Sequence, residues 1–101
     1  MIARIWHGVT EVRVADEYVH YLMATGLPDY QAAQGNRGAY FLRRVEGNQA
    51  HFLALSFWES EQAIRGFAGD EIERARYYPE DARYLLEMEP LVKHYEILGD
   101  R

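Results

Sequence analysis

Apolar residues fall on both alternating sets from Ile2 to Val9, which predicts a first strand with two occupied faces, Ile2, Arg4 and Trp6 on one side and Ala3, Ile5, His7 and Val9 on the other. From about Val14 to Thr25 the spacing lengthens to three and four residues, through Val14, Tyr18, Tyr21, Leu22 and Thr25. That is helical, and Asp16 and Glu17 in its first turn suit the positive end of the helix dipole. Gly26 marks the stop, and Pro28 opens a short helical turn through Ala33. Gly47 and Asn48 then lie between two apolar-rich runs, Ala39 to Val45 and Ala50 to Trp58, the signature of a tight hairpin. With Glu46 opposite Gln49, the pairs Arg44–His51, Leu42–Leu53 and Tyr40–Leu55 share one face, and Val45–Ala50, Arg43–Phe52 and Phe41–Ala54 share the other. Both faces are apolar away from the tip. Helices from a chain of this size cover one of them, so the second calls for another copy of the chain, and a homodimer is expected.

Ser60 precedes Glu61-Gln62-Ala63-Ile64 and is placed to cap a further helix whose inward stripe is Ala63, Ile64, Phe67 and Ala68. Gly69-Asp70 interrupts it. A helical run is expected from Glu71 to Tyr77, a new turn from Pro79 to about Leu86, and a last strand from Pro90 to Leu98. The order strand, helix, strand, strand, helix, strand is the ferredoxin-like split βαβ arrangement. The expected fold is α+β: a four-stranded antiparallel sheet with helices on one face, in a single domain spanning 1–101.

Composition narrows the partners. The chain has 101 residues, 14% of them aromatic, and 11 basic against 16 acidic residues give a formal charge of -5. No Lys/Arg block is present to bind phosphates, so nucleic acid is not an expected partner. The absence of cysteine excludes disulfides, thiolate nucleophiles and Cys-ligated metals. No run of about 18 apolar residues is long enough for a membrane span, and Arg4 falls too early for a signal peptide, so a cytoplasmic protein is expected.

The hairpin Tyr40-Phe41-Leu42-Arg43-Arg44-Val45-Glu46-Gly47, the strand end Phe57-Trp58-Glu59-Ser60 and the helix Glu61-Gln62-Ala63-Ile64 with Phe67 resemble the antibiotic biosynthesis monooxygenase family of dimeric α+β barrels. The resemblance is to a fold signature, since Trp58 is the kind of residue that packs between sheet and helix. It implies first a cofactor-independent monooxygenase acting on a small aromatic or polyketide-like molecule. It also admits a haem-binding or haem-degrading protein, and a non-redox cyclase-like or ligand-binding dimer. Where the haem-degrading branch carries an Asn, a Trp and a His, this chain has His7, Phe67 and Tyr77. A tyrosine can also ligate haem iron, which keeps haem open as an alternative to the first expectation of no cofactor.

Without metal or flavin, such oxygenation needs a base to generate a carbanion or phenolate that reacts with O2 in a dry pocket. His7 is the expected base, on the reading that its strand face points to the helices; the structural reading is a polar strand residue satisfied by backbone or water. Tyr77 and Tyr78 precede Pro79, where a helix must stop, so a ring there projects into a cleft and its hydroxyl can hold a substrate oxygen. Phe67 is expected to line the wall, with Tyr21 facing inward from the first helix. His94 shares a strand face with Glu96 and is a further binding candidate. The four histidines lack metal-ligand spacing, so no metal site is expected.

Overall fold

The hairpin forms in the register that its turn dictates. In the computed structural model, which describes residues 1–99, β2 (Asn36–Glu46) and β3 (Gln49–Trp58) pair antiparallel with Glu46 opposite Gln49, Arg44 opposite His51 and Tyr40 opposite Leu55. Gly47 takes φ +59°, and no non-glycine residue has a positive φ, as expected of a two-residue turn with glycine at its first central position. β1 (Ile2–Glu11) lies beside β3, with Ile2 opposite Trp58 and Trp6 opposite Ala54. The sheet order is β2-β3-β1, and the fourth position is shared by two short strands, β4 (Leu85–Glu87) and β5 (Lys93–Glu96), both antiparallel to β1. The last strand is therefore shorter than the expected Pro90 to Leu98, and the edge gains the extra piece β4.

Three helices cover one face: α1 (Ala15–Ala24), α2 (Gly26–Ala32) and α3 (Glu61–Ala68). Gly26 does not end helical structure as expected but starts α2 after a break at Thr25. Ser60 caps α3, its Oγ accepting the Ala63 N–H at 3.1 Å. Between sheet and helices Trp58, Tyr18, Phe52 and Ile64 are fully buried. Trp58 takes the expected place between sheet and helix, with Phe67 and Tyr30 beside its ring and its Nε1–H donating to Ser56 Oγ at 2.9 Å.

The expected helix from Glu71 to Tyr77 is absent, and its backbone bonds show why. Ala75 N–H donates to the Pro90 carbonyl at 2.9 Å and Val92 N–H to the Glu73 carbonyl at 2.7 Å, with Arg74 bridged to Leu91. Pairing with the 90–92 segment satisfies groups that a helix would have satisfied within itself, so tertiary contact overrides local propensity. A single turn, α4 (Asp81–Tyr84), follows Pro79.

The opposite face of the sheet carries Tyr40, Leu42 and Tyr95 exposed, and Ile5, Val9, Leu53, Leu55 and Phe57 half-buried. No helix of the described residues is long and apolar enough to cross a membrane.

Candidate functional site

The helix-side residues of β1 form the floor of a cavity. Period-two alternation puts Ile2, Arg4, Trp6, Gly8 and Thr10 on that side, and Ala3, Ile5, His7 and Val9 on the open one. The indole of Trp6 lies across Gly8: a Cβ on Gly8 would sit 2.4 Å from the Trp6 ring, so only glycine leaves the space. Trp6 and Arg4 are joined by Ala54 of β3, Phe41 of β2, Tyr18 and Leu22 of α1, Tyr30 of α2 and Phe67 of α3. The 70–80 segment closes the remaining side with Arg76, Tyr77 and Tyr78, and Asp81 and Val92 complete the wall. The cavity is open on one side, and about 40 Å³ of it admits water-sized molecules. With its open mouth included, the cleft extends to about 480 Å³.

Aromatic rings dominate the lining, and three of its four phenols are hydrogen-bonded among the described residues. Tyr30 stacks on Phe67 at 4.7 Å between ring centroids, and Trp6 meets Tyr77 edge-on at 6.2 Å. The Tyr77 hydroxyl accepts from Trp6 Nε1 at 3.2 Å and donates to the Glu89 carbonyl at 2.6 Å; burial pushes its pKa up. Tyr78 donates its hydroxyl to Asp29, and burial together with that bond raises its pKa too. Tyr18 donates to Asp81 Oδ1 at 2.9 Å, while Asp81 Oδ2 accepts the Tyr78 N–H at 2.6 Å. Burial raises the Asp81 pKa, and the bonds from Tyr78 and Tyr18 oppose that rise. All four phenols at the cavity, Tyr18, Tyr30, Tyr77 and Tyr78, thus keep their protons at neutral pH.

Two guanidinium groups flank Phe67. Arg76 lies 4.8 Å from the centroid of its ring and reaches Asp29 at 3.2 Å; Arg4 lies 6.0 Å from the same centroid. Arg4 is only 2% exposed and donates to the Ile72 carbonyl at 2.5 Å, the Arg74 carbonyl at 3.0 Å and His94 Nε2 at 3.0 Å.

Of the residues singled out from the sequence, Tyr77, Tyr78 and Phe67 meet at this cavity. Tyr21 does not line it: its hydroxyl accepts the Glu80 N–H at 3.1 Å and its ring stacks on Tyr18 at 6.1 Å, supporting the wall from behind. His94 stands behind Arg4, and burial followed by the Arg4 charge lowers its pKa, keeping the ring a neutral acceptor. The orientation expected for His7 is corrected, because it belongs to the open face of the sheet. There its Nδ1 donates to Glu89 Oε2 at 2.6 Å, and its Nε2 lies 3.1 Å from His51 Nδ1, while His51 Nε2 approaches Glu46 Oε2 at 3.5 Å. Nothing among the described residues groups three His, Cys, Asp or Glu side chains as a metal site.

Arg4, Trp6, Tyr18, Tyr30, Arg76 and Asp81 were not foreseen at the site. The sequence held a signal for Arg4, a charge on the same strand side as Ile2 and Trp6. The side that faces the helices was the missing fact.

No family profile matches the sequence, and no curated protein matches it. Among solved structures, the chain is similar to an arginine-to-serine variant of MhuD with two manganese protoporphyrin IX bound per active site, at a TM-score of 0.64 and 18% identity over 100% of this chain and 98% of that one. It is also similar to the haem degrader MhuD from Mycobacterium tuberculosis with two haems bound in its active site, at 0.63 and 18% over 100% and 99%. At this identity the likeness establishes the ferredoxin-like α+β fold. It also corrects the expectation that no cofactor is involved, because each of these neighbours holds a porphyrin in its active site.

Proposed function

We propose that this chain is a haem-binding protein whose porphyrin site is the aromatic cavity between the sheet and its helices. The observation that carries the reading is the convergence of Trp6, Tyr30, Phe67 and Tyr77 on one cleft, in a fold whose neighbours hold porphyrins in their active sites. The residues fit the group in their chemistry. Apolar rings suit a flat macrocycle, and Arg76 at the mouth suits an anionic edge. A phenol such as Tyr77 is a known type of iron ligand.

The narrow space sets a condition on entry, since only about 40 Å³ admits water-sized molecules and a macrocycle needs far more room. The 70–80 segment must move outward, and its fastenings are the Arg4 bonds to Ile72 and Arg74 and the Tyr78 and Arg76 bonds to Asp29. For Tyr77 to serve iron it must release the Glu89 carbonyl and its proton, which burial makes harder. Bound haem would supply redox-active iron to a cavity that otherwise has none. The chain's own residues would hold the ring and shield it from water.

Metal-free oxygenation has less support, because His7, the base on which it relied, lies across the sheet from the cavity. The open apolar face supports a second part of the proposal, a homodimer that buries Tyr40, Leu42, Leu53 and Leu55 against a second copy.

The test is titration with haemin, read as the Soret absorption, on the native protein and on Tyr77→Phe and Tyr78→Phe. Saturation at a defined stoichiometry, with a shifted Soret band in Tyr77→Phe alone, supports the reading. Linear, unsaturable uptake by the native protein would overturn it.

A further inference from the structure

The geometry points to Arg4 as a carboxylate-recognition residue at the inner end of the cavity, selecting ligands that join a flat aromatic body to a carboxylate arm. Arg4 is buried on the helix face of the sheet, and no carboxylate among the described residues lies within ion-pair distance of it. Its hydrogen-bond partners are two backbone carbonyls and a neutral imidazole, none of which carries a compensating charge. Burial lowers its pKa and the Arg76 charge adds to that, while the more distant Glu73 carboxylate only partly opposes it. A buried cation of this kind is costly to maintain unless an anion completes it.

The hydrogen-bond inventory shows where that anion belongs. A guanidinium has five N–H donors. Nη1 spends both of its protons, on Ile72 and His94, and Nη2 spends one on Arg74. The Nε–H and one Nη2–H have no partner among the described residues, which leaves two donors for an anionic oxygen to take. Arg4 lines the cavity, on the side where Phe67 forms its wall. The body of the ligand then lies in the mouth against Phe67, whose ring has Arg4 at 6.0 Å and Arg76 at 4.8 Å. Arg76 is already paired with Asp29, so it flanks the ligand while Arg4 selects its charge.

This inference deepens the porphyrin reading, because a porphyrin carboxylate has the stated chemistry. It also stands apart, because a small aryl carboxylate has it equally. The experiment uses quenching of tryptophan emission in the native protein by 2-naphthoate and by its neutral counterpart 2-naphthamide, with protoporphyrin IX and its dimethyl ester as a second pair. The expected result is saturable quenching with each acid at least tenfold tighter than with its neutral partner, a preference lost in Arg4→Met and kept in Arg65→Gln, which removes an exposed α3 charge paired with Glu61 outside the cavity. Equal binding of acid and neutral partner by the native protein overturns the inference, whether or not Arg4→Met folds; so does retention of the acid preference in a folded Arg4→Met. Acid-selective binding of naphthoate without any binding of haemin leaves the inference standing and removes the porphyrin reading. Haemin binding with the ester as tight as the free acid does the reverse.

Discussion

Replacing Tyr18 by Phe removes one hydroxyl and little else, which makes it a clean probe of the polar pair beneath the cavity. The ring of Tyr18 packs edge-on against Phe52 at 5.2 Å and beside Tyr84 at 5.4 Å, contacts that phenylalanine keeps. What is lost is the 2.9 Å bond to Asp81, a carboxylate that is 3% exposed and retains only the Tyr78 N–H. A hydrogen bond to a charged group, with a buried acceptor left short of a donor, is worth about 2 kcal/mol. For a domain of this length that is a fall in Tm of roughly 8–16 °C. The cost also carries a pH signature. Burial already raises the Asp81 pKa and the Tyr18 bond opposes the rise, so the variant's carboxyl moves further up. A folded-state pKa above the unfolded value means stability is full at low pH and is lost as pH rises through the folded pKa, and the variant loses more than the native chain. Urea denaturation at matched protein concentration, at pH 4 and pH 7, measures both effects. A destabilisation below about 0.5 kcal/mol at pH 7, or one equal at the two pH values, would refute the assignment of a charge-assisted bond.

Other consequences follow from single contacts. Ser60→Ala removes the cap of α3 and is expected to cost about 1 kcal/mol, seen as a lower urea midpoint with unchanged slope, whereas Ser60→Gly costs only a few tenths. His94 has a folded pKa depressed below the ordinary 6.5, so the unfolded chain binds its proton first and stability falls as pH drops below about 6.5, until the folded ring titrates. His94→Gln keeps an acceptor for Arg4 and should flatten that part of the native stability profile, read from urea midpoints between pH 7 and 5. On the open face, Leu53→Glu is expected to leave the circular dichroism native-like while sedimentation shows one chain's mass instead of two. A native protein that is already monomeric at micromolar concentration would contradict the dimer.

The hairpin was legible residue by residue because Gly47-Asn48 fixes the turn and period two fixes everything after it. Ser60 and the α3 stripe were legible for the same reason, a local rule with a local cause. The segment from Glu71 to Tyr77 was not, because its backbone partners at Pro90 and Val92 lie far along the chain and no helical pattern announces them. His7 was misplaced because both sides of the first strand are apolar, so alternation gave two sets of residues without saying which faced the helices. Trp58 could have decided it: if it packs under a helix, Ser56 and Ala54 share its side, and the pairing of Arg4 with Ser56 and Trp6 with Ala54 brings those two to the cavity. That pairing is between strands far apart in sequence and has no turn to set its register.

The central claim is that a porphyrin enters the helix-side cavity, and tryptophan emission during haemin titration tests it most directly. Trp6 lines the cavity and Trp58 packs against Phe67, so both report from that side of the sheet. The account predicts saturable quenching that tracks the Soret change at one stoichiometry. A saturating Soret change with tryptophan emission left intact would place haem elsewhere on the protein and contradict it.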